Sequence, residues 1–210
     1  MIRKPNKFQT PDVYPPFKMP TRKKPQSIYQ LKITLSEIRP PIWRRVQVSS
    51  DYTLADLHEV IQVAMGWGNS HLHSFTIQEE EYAMPMDDDF GFADMEIKNE
   101  TPVKLSKIIP GEKFKFSYLY DFGDSWDHDI LVEKVLPPDP DTTYPVCIKA
   151  KRACPPDDCG GPGGYQDFLE AIQNKKHTDH EEMLEWVGGS FDPEEANLDE
   201  INAELKRVFK

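Results

Sequence analysis

The stretch KFKFSYLYDFGDSWDHDILVEKV, Lys113 to Val135, decides the fold. Phe114, Phe116, Tyr118 and Tyr120 alternate with Lys115, Ser117 and Leu119, the period of a strand with one buried face. After Asp121-Phe122-Gly123-Asp124-Ser125 the alternation resumes, with Trp126, His128, Ile130 and Val132 on one face and Asp127, Asp129, Leu131 and Glu133 on the other. A five-residue loop sets Tyr120 opposite Trp126, Tyr118 opposite His128 and Phe116 opposite Ile130. The same register places Lys113 opposite Glu133 on the reverse face, a favourable cross-strand pair. Gly123 is expected to supply the positive φ of the turn, and Asp121 and Asp124 to bond nearby backbone N–H groups.

Working outward, Tyr29–Leu35 reads as a strand with Tyr29, Leu31, Ile33 and Leu35 on one face, broken by Pro40-Pro41. A second strand, Ile42–Val48, places Arg44 among Ile42, Val46 and Val48, where a buried guanidinium calls for a carboxylate partner. Thr53 caps a helix with Asp56 in a near capping box, and Leu54, Leu57, Ile61, Ala64 and Met65 form its apolar stripe. His58 lies beside that stripe and reads as a polar edge residue. His71, His73, Phe75 and Ile77 share one side of the next strand. Residues 79–100 read as an acidic loop whose Asp87-Asp88-Asp89-Phe90-Gly91 lacks the full calcium-loop pattern. Val103–Ile109 suits a short helical turn, and Pro137–Pro145 a linker. The C-terminal third is helical: Gln166–Asn174, a helix capped by Thr178 with Glu181 and stopped at Gly188, and a last one near Asn197–Phe209.

The expected fold class is therefore α+β, a mixed or antiparallel sheet of roll type with helices packed on one face. A proline- and lysine-rich arm, 1–27, precedes a single domain, 28–210. The chain carries a net charge of −11. Seven Lys or Arg against Asp12 alone make the arm +6, so the rest carries −17. A body that acidic repels phosphate backbones and disfavours broad nucleic-acid binding, whereas the arm suits an anionic partner. No run approaches a membrane span, the N-terminus lacks a secretory pattern, and three cysteines form no closed disulfide framework, so a cytoplasmic location is expected.

Two kinds of site are written in these residues. Tyr118, Tyr120, Trp126 and His128, with Asp121 and Asp124 at the lip and Arg44 nearby, can line a pocket for a small-molecule or protein ligand. The same aromatics can instead form core against the 54–65 helix. A divalent metal such as zinc suits His71, His73 and His128 with Asp121 or Asp124, and a second half-site suits Cys154 and Cys159, with Cys147, His177 or His180 completing it. Gly160-Gly161-Pro162-Gly163-Gly164 lacks the Lys-Ser/Thr ending of a phosphate loop.

Several stretches together resemble the plasmid pRiA4b ORF-3-like family. They are Ile42-Trp43-Arg44-Arg45, Leu57-His58 with Gly66-Trp67, His71-Leu72-His73-Ser74-Phe75, Tyr120 through His128, Ala153 through Gly161, and His180 with Glu185-Trp186 and Phe191-Asp192-Pro193. The resemblance covers Tyr29 to Phe209 and leaves the arm outside. It implies a single α+β domain of roll type in microbes, associated with plasmids and insertion elements and without an established reaction. The expected role is that of a binding or accessory module. The alternatives are a metal-dependent hydrolase using His71, His73 and His128, and a transposon-associated DNA-processing protein. Against the last, Ser125 sits among Asp124, Asp127 and Asp129, which repel a scissile phosphate.

Overall fold

A computed structural model describes residues 27–85 and 97–210. The expectations for the arm and for the Asp87–Gly91 run lie outside these residues. The described strands are β1 (Ile28–Leu35), β2 (Trp43–Ser49), β3 (His73–Ile77), β4 (Glu80–Ala83), β5 (Ile97–Asn99), β6 (Lys115–Tyr120), β7 (Trp126–Leu136) and β8 (Val146–Lys151). The described helices are α1 (Leu54–Met65), α2 (Leu105–Ile108), α3 (Gly161–Gln173), α4 (His180–Trp186) and α5 (Leu198–Val208). The strands form one mixed sheet in the order β5-β4-β3-β6-β7-β1-β2-β8. Every neighbouring pair is antiparallel except β4 and β5.

The β6–β7 hairpin pairs Tyr120 with Trp126, Tyr118 with His128 and Phe116 with Ile130, the register its alternation demands. The reverse-face pair of Lys113 with Glu133 does not form. Lys113 turns to a positive φ of 68° before the ladder starts, and Glu133 takes both the Arg45 guanidinium, at 2.5 and 2.7 Å, and Gln30, at 2.9 Å. At the loop, Asp121 and Ser125 rather than Gly123 carry positive φ, 56° and 54°. Aspartate tolerates this because its own Oδ1 accepts hydrogen bonds from the N–H groups of Gly123 and Asp124, at 2.9 and 3.3 Å.

One face of the sheet carries the core. Leu31, Ile33, Val46, Val48, Phe75, Ile130 and Val132 are buried there together with Leu54, Leu57 and Ile61 of α1. Each such side chain contributes roughly 1.5–3 kcal/mol of transfer free energy. α1 starts at a complete Thr53–Asp56 capping box and ends at Gly66 in the left-handed conformation. α5 starts at Asn197, whose side chain accepts from the N–H groups of Asp199 and Glu200.

Three local expectations are corrected. β4 and β5 occupy part of the stretch read as loop, and β8 follows the 137–145 linker as an edge strand on β2. These strands are short or polar, so their alternation is weak. α4 begins after Asp179 without a side-chain cap, in place of a Thr178–Glu181 box. α3 begins inside the glycine run at Gly161.

Candidate functional site

At the tip of the hairpin three segments distant in sequence meet. His71 precedes β3, Asp121 follows β6, and Asp158 lies in the loop between β8 and α3. Trp67 Nε1 donates to the Pro155 carbonyl at 2.9 Å, the Gly68 N–H to Asp157 Oδ2 at 2.8 Å, and the Gly160 N–H to Asp124 Oδ2 at 3.0 Å. The loop therefore docks on both the hairpin tip and the α1–β3 turn. Gly161 approaches the tip backbone directly: at φ +70°, a Cβ there would lie 2.4 Å from the Asp124 carbonyl oxygen. No other residue type fits without moving one backbone from the other.

This docking brings His71 Nε2 to 2.9 Å from Asp158 Oδ1 and His71 Nδ1 to 3.5 Å from Asp121 Oδ2. Among the described residues, His71, Asp121 and Asp158 are the one group of three His, Cys, Asp or Glu side chains whose ligand atoms all lie within 4.8 Å of one another. Atoms bound to one divalent ion at about 2.0–2.2 Å are separated by up to about 4.4 Å, a little less than the 4.8 Å that encloses this group. One imidazole and two carboxylates suit zinc, manganese or another first-row metal better than calcium or magnesium, which favour all-oxygen shells. Asp158 is largely exposed and His71 partly so, although His71 Nε2 itself is buried. Asp157 adjoins them, its Oδ1 buried without a hydrogen-bond partner among the described residues. Burial pushes its pKa up, with the neighbouring Asp158 and Asp121 carboxylates adding to the shift.

The sequence-derived trio of His71, His73 and His128 is not brought together. His73 turns inward, its Nε2 3.0 and 3.1 Å from the two oxygens of Glu100, which has no exposed surface. His128 is buried and its Nδ1 lies 3.2 Å from the Tyr118 carbonyl. Tyr118, Tyr120 and Trp126 are buried as well, stacked among His58, Trp67 and Phe75, so they form core rather than the wall of an open pocket. Asp124 serves the loop contact with Gly160.

Behind the hairpin lies a closed polar network that spacing alone did not reveal. Gln62 Nε2 donates to the Tyr118 hydroxyl at 2.9 Å, and His58 Nδ1 lies 2.8 Å from the same oxygen. Tyr118 therefore donates to Nδ1, and His58 Nε2–H donates to Asn69 Oδ1 at 2.8 Å. The His58 ring stacks on His73 with centroids 3.5 Å apart and planes 5° from parallel. Burial lowers the His58 pKa to about 3, with His73 adding to the shift, and lowers His73 to about 4. Burial raises Glu100 to about 7. Each shift favours the uncharged form, which suits two imidazoles in face-to-face contact. His58, far from an edge residue, is thus a core group. Its i, i+4 relation to Gln62 was the one sequence signal for the network; Glu100 had none.

Arg44 is buried, and among the described residues no carboxylate pairs with it. Its Nε donates to the Ala64 carbonyl at 2.7 Å, its NH1 group to the Trp43 and Lys151 carbonyls at 3.1 Å, and its NH2 group to Cys154 Sγ at 2.9 Å. The free carbonyl at the C-terminal end of α1 supplies partial negative charge in place of an acid. Cys154 in turn donates to Met65 Sδ at 3.1 Å. Cys147, Cys154 and Cys159 are unpaired thiols, and burial pushes Cys154 up to about 11 and Cys159 to about 12. They do not converge with His177 or His180; His180 Nδ1 is taken by the Ala171 carbonyl at 2.9 Å.

Comparison with known proteins bears on the whole domain. The sequence profile described as "Plasmid pRiA4b ORF-3-like protein" matches residues 27–200. "Uncharacterized protein y4hQ" of Sinorhizobium fredii (strain NBRC 101917 / NGR234) is 40% identical over 177 residues, 84% of this chain and 89% of that protein. The crystal structure of MM3350 from Methanosarcina mazei Go1, a protein of unknown function, is similar with a TM-score of 0.73 and 34% identity, covering 83% of this chain and 97% of that one.

Proposed function

This chain belongs to the plasmid pRiA4b ORF-3-like family, and from that membership and the geometry of the hairpin end we propose that it is a metal-ion-binding accessory module. The observation that carries the reading is the meeting of His71, Asp121 and Asp158, supplied by three separate segments, with ligand atoms all within 4.8 Å of one another. A bound divalent ion neutralises carboxylates that otherwise repel one another and clamps the 155–161 loop to the hairpin and to the α1–β3 turn. Asp158 is the exposed member, so a ligand with an oxygen or nitrogen donor reaches the ion from its side and completes the shell. A binding role accounts for these features without a nucleophile or a general base. The hydrolase reading loses its trio, because His73 and His128 are held by Glu100 and by backbone.

The test is titration of chelator-stripped full-length protein with Zn(II), Mn(II) and Co(II), followed by calorimetry and thermal unfolding. One ion per chain is expected to bind, and at a hundredfold excess over Kd to stabilise the fold by about 2.7 kcal/mol. His71→Ala and Asp158→Asn are expected to abolish both signals while leaving the stripped protein folded. Absence of binding heat and of any rise in Tm at millimolar metal refutes the reading.

A further inference from the structure

Away from the hairpin end, a cleft of about 590 Å³ opens between the C-terminal end of α1, the 190–197 segment and α5. Met65, Phe191 and Ile201 supply its apolar lining, and Glu195, Glu200 and Glu204 border it. Glu204 is paired with Arg207, whereas Glu195 and Glu200 have no ion-pair partner among the described residues. Arg44 also borders the cleft, but its N–H groups are turned to carbonyls and to Cys154. An apolar trough with unneutralised carboxylates calls for a cationic segment carrying an aromatic or aliphatic side chain.

The chain owns such a segment. Residues 1–26 carry seven Lys or Arg against Asp12 alone, interspersed with Phe8, Tyr14 and Phe17. We infer that this N-terminal segment docks in the α1–α5 cleft of its own chain, its aromatic residues matching the apolar lining and its Lys and Arg the carboxylates of Glu195 and Glu200. The reach is short. Ser27 is fixed to Ser50, its N–H donating to Ser50 Oγ at 3.2 Å and its carbonyl accepting from the Ser50 N–H at 2.9 Å. α1 begins just beyond, at Leu54, and its twelve residues run about 18 Å to Met65 at the cleft. An extended chain covers that distance in about six residues and a looser path in about ten, so a segment of 26 residues is long enough to reach the carboxylates. The contact is independent of the metal reading and involves none of its residues.

Trypsin cleavage of the Lys18–Met19 bond tests the inference in the full-length protein. The rate, compared with that of a synthetic peptide of residues 1–26, is expected to be at least tenfold lower. The protection is expected to fall at least fivefold in the double variant Glu195→Gln with Glu200→Gln, whose exposed substitutions leave the core untouched. Carbodiimide cross-linking of mixed ¹⁴N and ¹⁵N protein is expected to join Lys18 to Glu195 or Glu200 within one isotopic population. Cleavage at the peptide's rate overturns the inference, as does protection that survives the double substitution. Cross-linked peptides of which about half combine ¹⁴N with ¹⁵N overturn the intramolecular contact and assign the cleft to the arm of a second copy.

Discussion

Tyr118 shows how much one buried hydroxyl is asked to do. It accepts from Gln62 and donates to His58, so the tautomer of His58 and the placement of Asn69 both follow from it. Tyr118→Phe keeps the ring and leaves a buried amide and a ring nitrogen unpaired. A loss of about 1–3 kcal/mol is expected in urea unfolding; unchanged stability would show that the network tolerates vacancies. Asp124 and Gly161 make a second comparison on opposite sides of one contact. Asp124→Ala removes a single bond to the Gly160 N–H, at a cost of about 1 kcal/mol. Gly161→Ala forces a methyl to 2.4 Å from a backbone oxygen at a φ that alanine resists, so a loss of more than about 2 kcal/mol is expected. If denaturation ranks the two variants the other way, the loop does not dock on the tip as described.

Among the elements, β3, α1 and the segment after β5 are joined by the His58–His73–Glu100 cluster rather than by apolar contact alone. Glu100 is the group that ties the β5 end of the sheet to β3, through His73. Its raised pKa, about 7 against an ordinary 4.5, means that its contribution is fully present below about pH 4.5 and is lost as the pH rises through 7. Glu100→Gln keeps an amide that can donate to His73 and removes the ionisation. The variant is expected to match or exceed the parent in stability above pH 7 and to fall behind it near pH 5. Parallel stability–pH curves for the two proteins would rule out Glu100 as the titrating group. The legible part of this region was α1, whose stripe and capping box are local patterns. Glu100 follows a polar stretch without periodicity, so nothing nearby marks it as buried.

For the molecule as a whole, acid is the expected weakness. Burial lowers His58 to about 3, His73 to about 4 and His128 to about 4, below the ordinary 6.5. The stability they contribute is present above pH 6.5 and lost as the pH falls toward 4, because the unfolded chain takes up protons that the fold refuses. Glu100 opposes this between pH 4.5 and 7, leaving a net uptake of about two protons on unfolding near pH 5.5. Stability is then expected to drop on the order of 2 kcal/mol per pH unit through that window. Denaturant midpoints that stay level from pH 6.5 to 4.5 would mean that these imidazoles charge without unfolding the domain. Among the described residues no helix is long and apolar enough to cross a membrane, and the similarity to MM3350 covers 83% of this chain and 97% of that one.

Residue order alone determined the hairpin register, the α1 helix with its Thr53–Asp56 box, and the family, because each is written in patterns that repeat every two to four residues or in contiguous motifs. Tertiary structure decided the rest. Which histidine meets which carboxylate depends on how loops far apart in sequence lie across the sheet: His71 found Asp121 and Asp158, while His73 found Glu100. Arg44 was recognisable as a misplaced charge, but its carbonyl and thiol partners exist only once α1 and β8 have closed around it. Period-two alternation states which way a side chain points, and the path of the intervening chain states what it meets there.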